Sequence, residues 1–229
     1  MIILGIDSSS VSASCAVMRD GEVLSSELVN NGLTHSQTLL PMIKRVVEAA
    51  EISVCDIDIA GITQGPGSFT GLRIGMSTLK GICAANNTKC VGISTLEALS
   101  IGVCDFDGIV CAVMDARAGQ VYNALFFRGK RMCDDRAISI ADLEKELKEQ
   151  KKPVILVGDG TVLCYNRLKD TLPVTMAEEK KRYCMGTSVA VLAQKYAANA
   201  IDAEDLTPVY LRLPQAQREL NNRKELTNK

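Results

Sequence analysis

An apolar run that ends in aspartate occurs twice in this chain, 108 positions apart, at Asp7 and Asp115. Gly21 and Gly129, each in a polar turn between two strand-like segments, keep the same 108-residue offset. A spacing held at two separate landmarks points to internal duplication, so one supersecondary unit must be used twice. In the first copy the hydrophobic periods predict strands over 2–7, 12–18 and 22–28. A helix at 34–50, a strand at 58–64, a helix at 70–85, a strand at 89–93 and a helix to about 102 follow. The second copy reads as strands over 108–115 and 120–127 and a third after the Arg128-Gly129-Lys130 turn. A helix at 139–150, a strand at 153–157, a helix through 168, a strand at 172–175 and a helix at 187–200 complete it. The expected organisation is α/β with two similar βββαβα halves, 1–104 and 105–212, joined near 103–106. The polar tail 213–229 reads as a candidate helix packing back on the first half. In such a fold a ligand cleft lies at the carboxyl ends of the first strands. That places Asp7 and Asp115 facing each other across it.

The stretch 64–85 is the second constraint. Gly65-Pro66-Gly67 breaks regular structure, and Ser68 or Thr70 can cap the helix that follows. Leu72, Met76, Leu79 and Cys83 form an apolar stripe, Ile74 and Ile82 lie off it, and only Arg73 and Lys80 carry charge. Gly71, Gly75 and Gly81 each cost such a helix about 1 kcal/mol against alanine. Close approach by a neighbouring element has to offset that. The neighbour is the chain's own sheet, another of its helices, or a second subunit.

Composition removes several function classes. A net charge of −1 gives no basic field for non-specific nucleic-acid binding. No apolar run approaches the roughly 20 residues of a membrane span, and the opening residues read as a strand and not as a leader. The nine cysteines contain no Cys-x-x-Cys pair and fall mostly in apolar segments, as buried thiols of a reducing cytoplasm do. No tryptophan is present to stack on bases.

Three segments together carry a family resemblance: Leu4-Gly-Ile-Asp-Ser-Ser, Gln64-Gly-Pro-Gly-Ser-Phe-Thr-Gly-Leu-Arg-Ile-Gly and Asp115-Ala-Arg-Ala-Gly-Gln-Val-Tyr. They resemble the bacterial TsaB family, and Val91-Gly-Ile-Ser-Thr-Leu-Glu-Ala-Leu and Pro208-Val-Tyr-Leu-Arg extend the match over most of the chain. The resemblance implies an actin-like ATPase (ASKHA) fold. It also implies a role in forming N6-threonylcarbamoyladenosine at position 37 of tRNA, as a non-catalytic partner of a TsaD-type paralogue with a TsaE-type ATPase. In that family the partner docks on the helices of the N-terminal half. The corresponding residues here are Leu39, Leu40, Ile43 and Val47 on the first helix and Leu72, Arg73, Met76, Leu79, Lys80 and Cys83 on the second. The resemblance implies a heterodimer with the paralogue, homodimers when the chain is alone, tRNA contact mainly through the complex, no membrane partner, and a cytoplasmic location.

The catalytic paralogue holds its metal with a His-x-x-x-His pair, and the matching positions here are Ser94 and Ala98. Neither side chain replaces an imidazole as a metal ligand. The single histidine, His35, stands at a helix start. We therefore expect no catalytic residue, no metal and no obligatory cofactor. Nucleotide chemistry stays more open. Asp7, Ser8, Ser9, Asp115, Arg117, Gly119, Gly158 and Gly160 occupy the turns where actin-like ATPases hold phosphates and adenosine. Yet the chain has no Gly-Lys-Ser/Thr phosphate loop, and ATP or ADP at or near the partner interface is the alternative placement. The competing reading is a stand-alone ATPase or glycopeptidase-like enzyme working in the inter-domain cleft.

Overall fold

The computed structural model describes residues 1–212, so the expected tail helix at 213–229 lies outside the described residues. Two sheets carry the duplication. The first is built from β1 (Ile2–Asp7), β2 (Ala13–Arg19), β3 (Glu22–Val29), β4 (Ile59–Gly65) and β5 (Lys89–Ser94) in the order β3-β2-β1-β4-β5. Its hairpin strands run antiparallel, while β1, β4 and β5 are parallel. The second repeats the pattern with β6 (Ile109–Asp115), β7 (Gln120–Phe127), β10 (Val154–Val157) and β11 (Val174–Met176). This is the doubled α/β architecture of the actin-like fold. Its expected third strand is split into β8 (Lys130–Arg131) and β9 (Arg136–Ser139), both paired to β7. Between the pieces, Arg131 turns back to pair with Asp135 at 2.5 Å.

Helices α1 (His35–Ala49) and α2 (Phe69–Ala84) cover the outer face of the first sheet. Side chains alternate along a strand, so Leu4 and Ile6 meet Leu39, Ile43, Met76 and Leu79 there, while Ile3 faces the other way. Helices α3 (Thr95–Ile101) and α6 (Gly186–Lys195) fill the space between the two sheets. The second sheet's far face carries α4 (Ile140–Gln150) and α5 (Thr161–Leu168).

The α6 helix belongs to the second half by sequence but packs on the first sheet. Glycines make that crossing close. A Cβ on Gly5 of β1 would lie 2.2 Å from the Gly186 carbonyl, and one on Gly61 of β4 would lie 2.6 Å from the Ala193 methyl. A polar tie also joins the halves: Arg131 and Asp135 meet Ser94, the cap of α3, and Arg131 meets Glu97, which takes bonds from Lys195 and Tyr196 of the crossing segment. The chain then returns to the first half, where Ile201 bridges to Cys90.

Candidate functional site

The loop after β1 is the centre of the site. Its hydroxyls are spent inside the protein: Ser8 Oγ donates to the Gly71 carbonyl (2.9 Å), Ser9 Oγ donates to Asp7 Oδ1 (2.6 Å), and Ser10 pairs with Ser12. Its carbonyls turn onto the helices. Ser68 N–H donates to the Ser9 carbonyl at 2.7 Å, and His35 Nε2 donates to the Ser10 carbonyl at 2.8 Å. Three glycines permit this contact. A Cβ would lie 2.4 Å from the Ser9 carbonyl at Gly67, 2.2 Å from the Ser8 carbonyl at Gly71, and 2.1 Å from Ser8 Oγ at Gly75. The neighbour that accounts for Gly71 and Gly75 is therefore the chain's own loop. Gly81 differs, because a Cβ there meets nothing within 4 Å.

Asp7 does not face Asp115 across open space. It is fully buried, with Oδ1 accepting from Ser9 and from Thr63 Oγ1 (2.7 Å) while Oδ2 finds no partner. Desolvation pushes its pKa up, against those hydrogen bonds. A raised folded-state pKa means the ionised carboxylate costs stability above the ordinary carboxylate range, and the cost disappears below that range. Asp7→Asn keeps an acceptor for Ser9 and Thr63 without the charge. We expect it to melt higher than the parent at pH 7, by about 2–4 °C per kcal/mol relieved, and to lose the advantage below about pH 4. Thermal melts across a pH series test this. A variant that melts lower at pH 7 would show the carboxylate to be favourably held.

Asp115 is exposed and accepts the Arg117 N–H at 2.7 Å. Arg117, Ala118 and Gly119 then run through three positive φ angles of 66°, 53° and 71°. Asp159 Oδ1 accepts the Asp115 N–H at 3.1 Å. Its pKa is pushed up by desolvation and by the Asp115 and Asp7 charges.

Between the halves lies a cleft of about 470 Å³. Of the eight expected nucleotide-site residues, Ser9, Asp115 and Arg117 line it, while Asp7, Ser8, Gly119, Gly158 and Gly160 do not. Gly158 is a turn residue at φ 110°, pressed on the Val113 carbonyl, and Gly160 packs on the same backbone. Asp159, Tyr122, Phe69, Tyr210 and Arg212 also line the cleft. They are absent from the expected site residues, although Tyr122, Phe69, Tyr210 and Arg212 lie in the segments that carry the resemblance and Asp159 stands between Gly158 and Gly160. The cations of its lining are Arg117 and Arg212, and Arg212 already donates to the Ala116 and Arg117 carbonyls. The residues present do not fit a nucleotide's phosphate chain. The loop hydroxyls that would cradle it are bonded inward, and the carboxylates of Asp115 and Asp159 flank the space.

Most of the residues expected to face a partner are buried. Leu39, Ile43, Val47, Leu72, Met76, Leu79 and Cys83 are each 5% exposed or less, in the chain's own core. These side chains pack the helices onto the sheet, and of them Ile43 and Val47 also line a groove open to the surface. Leu40, Arg73 and Lys80 remain accessible. Where α1 and α2 meet, Leu40, Pro41, Ile43, Val47, Val54 and Ile82 line that apolar groove, about 570 Å³ in volume and flanked by Lys44 and Glu48. Leu40 is 58% exposed. The i, i+4 stripe identified the buried side of α2, and its off-stripe residues Ile74 and Ile82 were the signal for the outer side.

Comparison with known proteins places the chain. The family model described as TsaD, tRNA N6-adenosine threonylcarbamoyltransferase, matches residues 30–220. The tRNA threonylcarbamoyladenosine biosynthesis protein TsaB of Bacillus subtilis is 29% identical, across 95% of this chain and 96% of its own. TsaB of Buchnera aphidicola is 32% identical, across 79% of this chain and 95% of its own. A Pseudomonas aeruginosa structure described as similar to the peptidase YeaZ superposes with a TM-score of 0.79 over 92% of this chain and 99% of that one. At 23% identity that likeness speaks for the fold.

Proposed function

This chain belongs to the TsaB family, and on that premise we propose that it is the non-catalytic partner subunit required for forming N6-threonylcarbamoyladenosine in tRNA. It docks on a TsaD-type threonylcarbamoyltransferase and activates it, in a complex with a TsaE-type ATPase. The observation that carries this reading is the apolar groove between α1 and α2, with Leu40 and Ile82 at its lining. The outward, uncontacted Gly81 lies one residue from Ile82 on α2. A glycine in an exposed helix interior costs about 1 kcal/mol, and close approach of a partner helix is what would offset it. The groove's apolar lining suits a helix of the paralogue, and a second copy of this chain occupies it when the paralogue is missing. tRNA is held mainly by the complex, in the cytoplasm. No cofactor is assigned to this chain alone, and ATP or ADP belongs at or near the partner interface.

The stand-alone enzyme reading has less support. His35, the one histidine, is engaged with the Ser10 carbonyl. Among the described residues no three His, Cys, Asp or Glu side chains are grouped to hold a metal ion. No described helix is long and apolar enough to cross a membrane.

Reconstitution tests the proposal. Modification of tRNA with all other components present should fail without this chain and return on its addition. Gly81→Arg and Leu40→Glu should fold normally, since both side chains enter open space, yet weaken pairing at least about tenfold, the loss of a contact worth 1.4 kcal/mol. Modification that proceeds unchanged without the chain would overturn the partner reading.

A further inference from the structure

We propose that residues 207–212 form a strap that ties the two halves together across the cleft, and that Arg73 on the docking helix α2 holds it or frees it. The strap bonds to both halves. On the first, the Val209 N–H donates to the Gln64 carbonyl at 2.7 Å, and the Tyr210 ring stacks on Phe69 with centroids 4.7 Å apart. On the second, Arg212 donates to the Ala116 and Arg117 carbonyls. Those carbonyls belong to the turn in which Arg117 and Ala118 hold positive φ, a conformation L-residues resist. Arg212 therefore braces a strained turn that forms one wall of the cleft.

The first half has a fitted seat for the strap. Gly65, at φ 129°, has the Val209 carbonyl 2.3 Å from where a Cβ would be, so a side chain and the strap exclude each other there. The strap itself is lightly held. It has no strand ladder, and Val209 and Tyr210 are 42% and 36% exposed. Segments with few buried contacts open at much lower free energy than a core.

The link to the docking face is Arg73. Its guanidinium lies 3.9 Å from the centre of the Phe69 ring, its Nε donates to Tyr210 Oη at 3.0 Å, and it is exposed on α2. A partner carboxylate that recruits this guanidinium, through a stronger charge-assisted bond, takes it from Tyr210 and loosens the strap. By reciprocity, loosening the strap changes partner affinity by the same factor. This part rests on the docking reading above; the strap itself does not.

Hydrogen exchange on the full chain, alone and saturated with the paralogue, is the test. In the free chain, peptides over 207–212 and 115–120 should be protected, and Arg212→Ala should speed exchange in both at least tenfold while β1 and β4 stay protected. Adding the paralogue should speed exchange at 207–212 in the parent but not in Arg73→Ala. Unprotected 207–212 in the free parent, or a 115–120 turn indifferent to Arg212→Ala, overturns the strap. Binding of the paralogue with 207–212 unchanged overturns the Arg73 link. Failure of the paralogue to bind overturns the docking reading, and the Arg212→Ala comparison still decides the strap.

Discussion

Leu79→Glu should yield no cooperatively folded protein at pH 7. Leu79 is fully buried and packs with Leu4, Ile6, Ile43 and Val47 between α2 and the first sheet. Removing a buried leucine side chain costs about 2–5 kcal/mol. Placing an unpaired carboxylate in the same space costs several more, whether it stays ionised or takes up a proton. Domains are stable by about 5–15 kcal/mol in all, so the sum reaches the whole margin. Met76→Glu should behave alike, since Met76 is 4% exposed in the same cluster. Circular dichroism melts of the two variants beside Gly81→Arg give a direct reading. Loss of the transition in the first two and its retention in the third fits α2 as described. A Leu79→Glu protein that melts like the parent would mean that α2 is rotated and its apolar stripe faces outward.

The contrast shows what periodicity can and cannot convey. The stripe Leu72, Met76, Leu79, Cys83 announced a buried helix face, and that face is buried. Periodicity does not say against what. A sheet of the same chain and a partner's helix demand the same spacing, and only the position of β1 and β4 beneath α2 decides. The same limit hid the destination of α6. Val189, Leu192 and Ala193 are buried between the sheets, but a helical period over 187–200 has no way to name the first sheet as their neighbour. What does carry that information is glycine. Gly5 and Gly61, on strands, and Gly186, at the helix start, are all positions where a Cβ would strike the facing element.

The site was legible at its turns and not in its depth. The 108-residue offset brought out Asp7 and Asp115 as counterparts, and each ends the first strand of its sheet. Their surroundings are unequal. Thr63, 56 residues along the chain, and the Cys184 region just before α6 enclose Asp7, while Asp115 opens to the cleft. Duplication constrains backbone path more tightly than it constrains what later packs over a turn. The lining residues Phe69, Tyr210 and Arg212 were missed for a related reason. Tyr210 and Arg212 reach the cleft through the returning segment 201–212, which no local period marks because most of its bonds are long-range. Phe69, at the start of α2, meets the cleft by stacking on Tyr210.

One substitution made twice in α2 should act in opposite directions. At Gly81→Ala the new methyl meets nothing within 4 Å, so the helix gains the full propensity difference of about 1 kcal/mol. At Gly71→Ala the same gain is opposed by a Cβ 2.2 Å from the Ser8 carbonyl, with His35 Cδ2 at 3.2 Å and Ser68 Cβ at 3.3 Å on its other sides. The Ser8 carbonyl belongs to the backbone and cannot rotate away as a side chain would. Relief requires the loop and α2 to separate, which breaks the Ser8–Gly71 and Ser68–Ser9 hydrogen bonds. Overpacking of this kind costs about 1–3 kcal/mol, and each buried hydrogen bond lost adds about 1 kcal/mol. After the propensity gain is subtracted, Gly71→Ala should melt about 5–10 °C below the parent, while Gly81→Ala melts about 2–4 °C above it. The strained variant should also exchange faster over 8–12, where the loop has lifted from the helix. Equal shifts at the two positions would show that helix propensity alone governs α2. The glycines would then have no part in seating the cleft loop against α2.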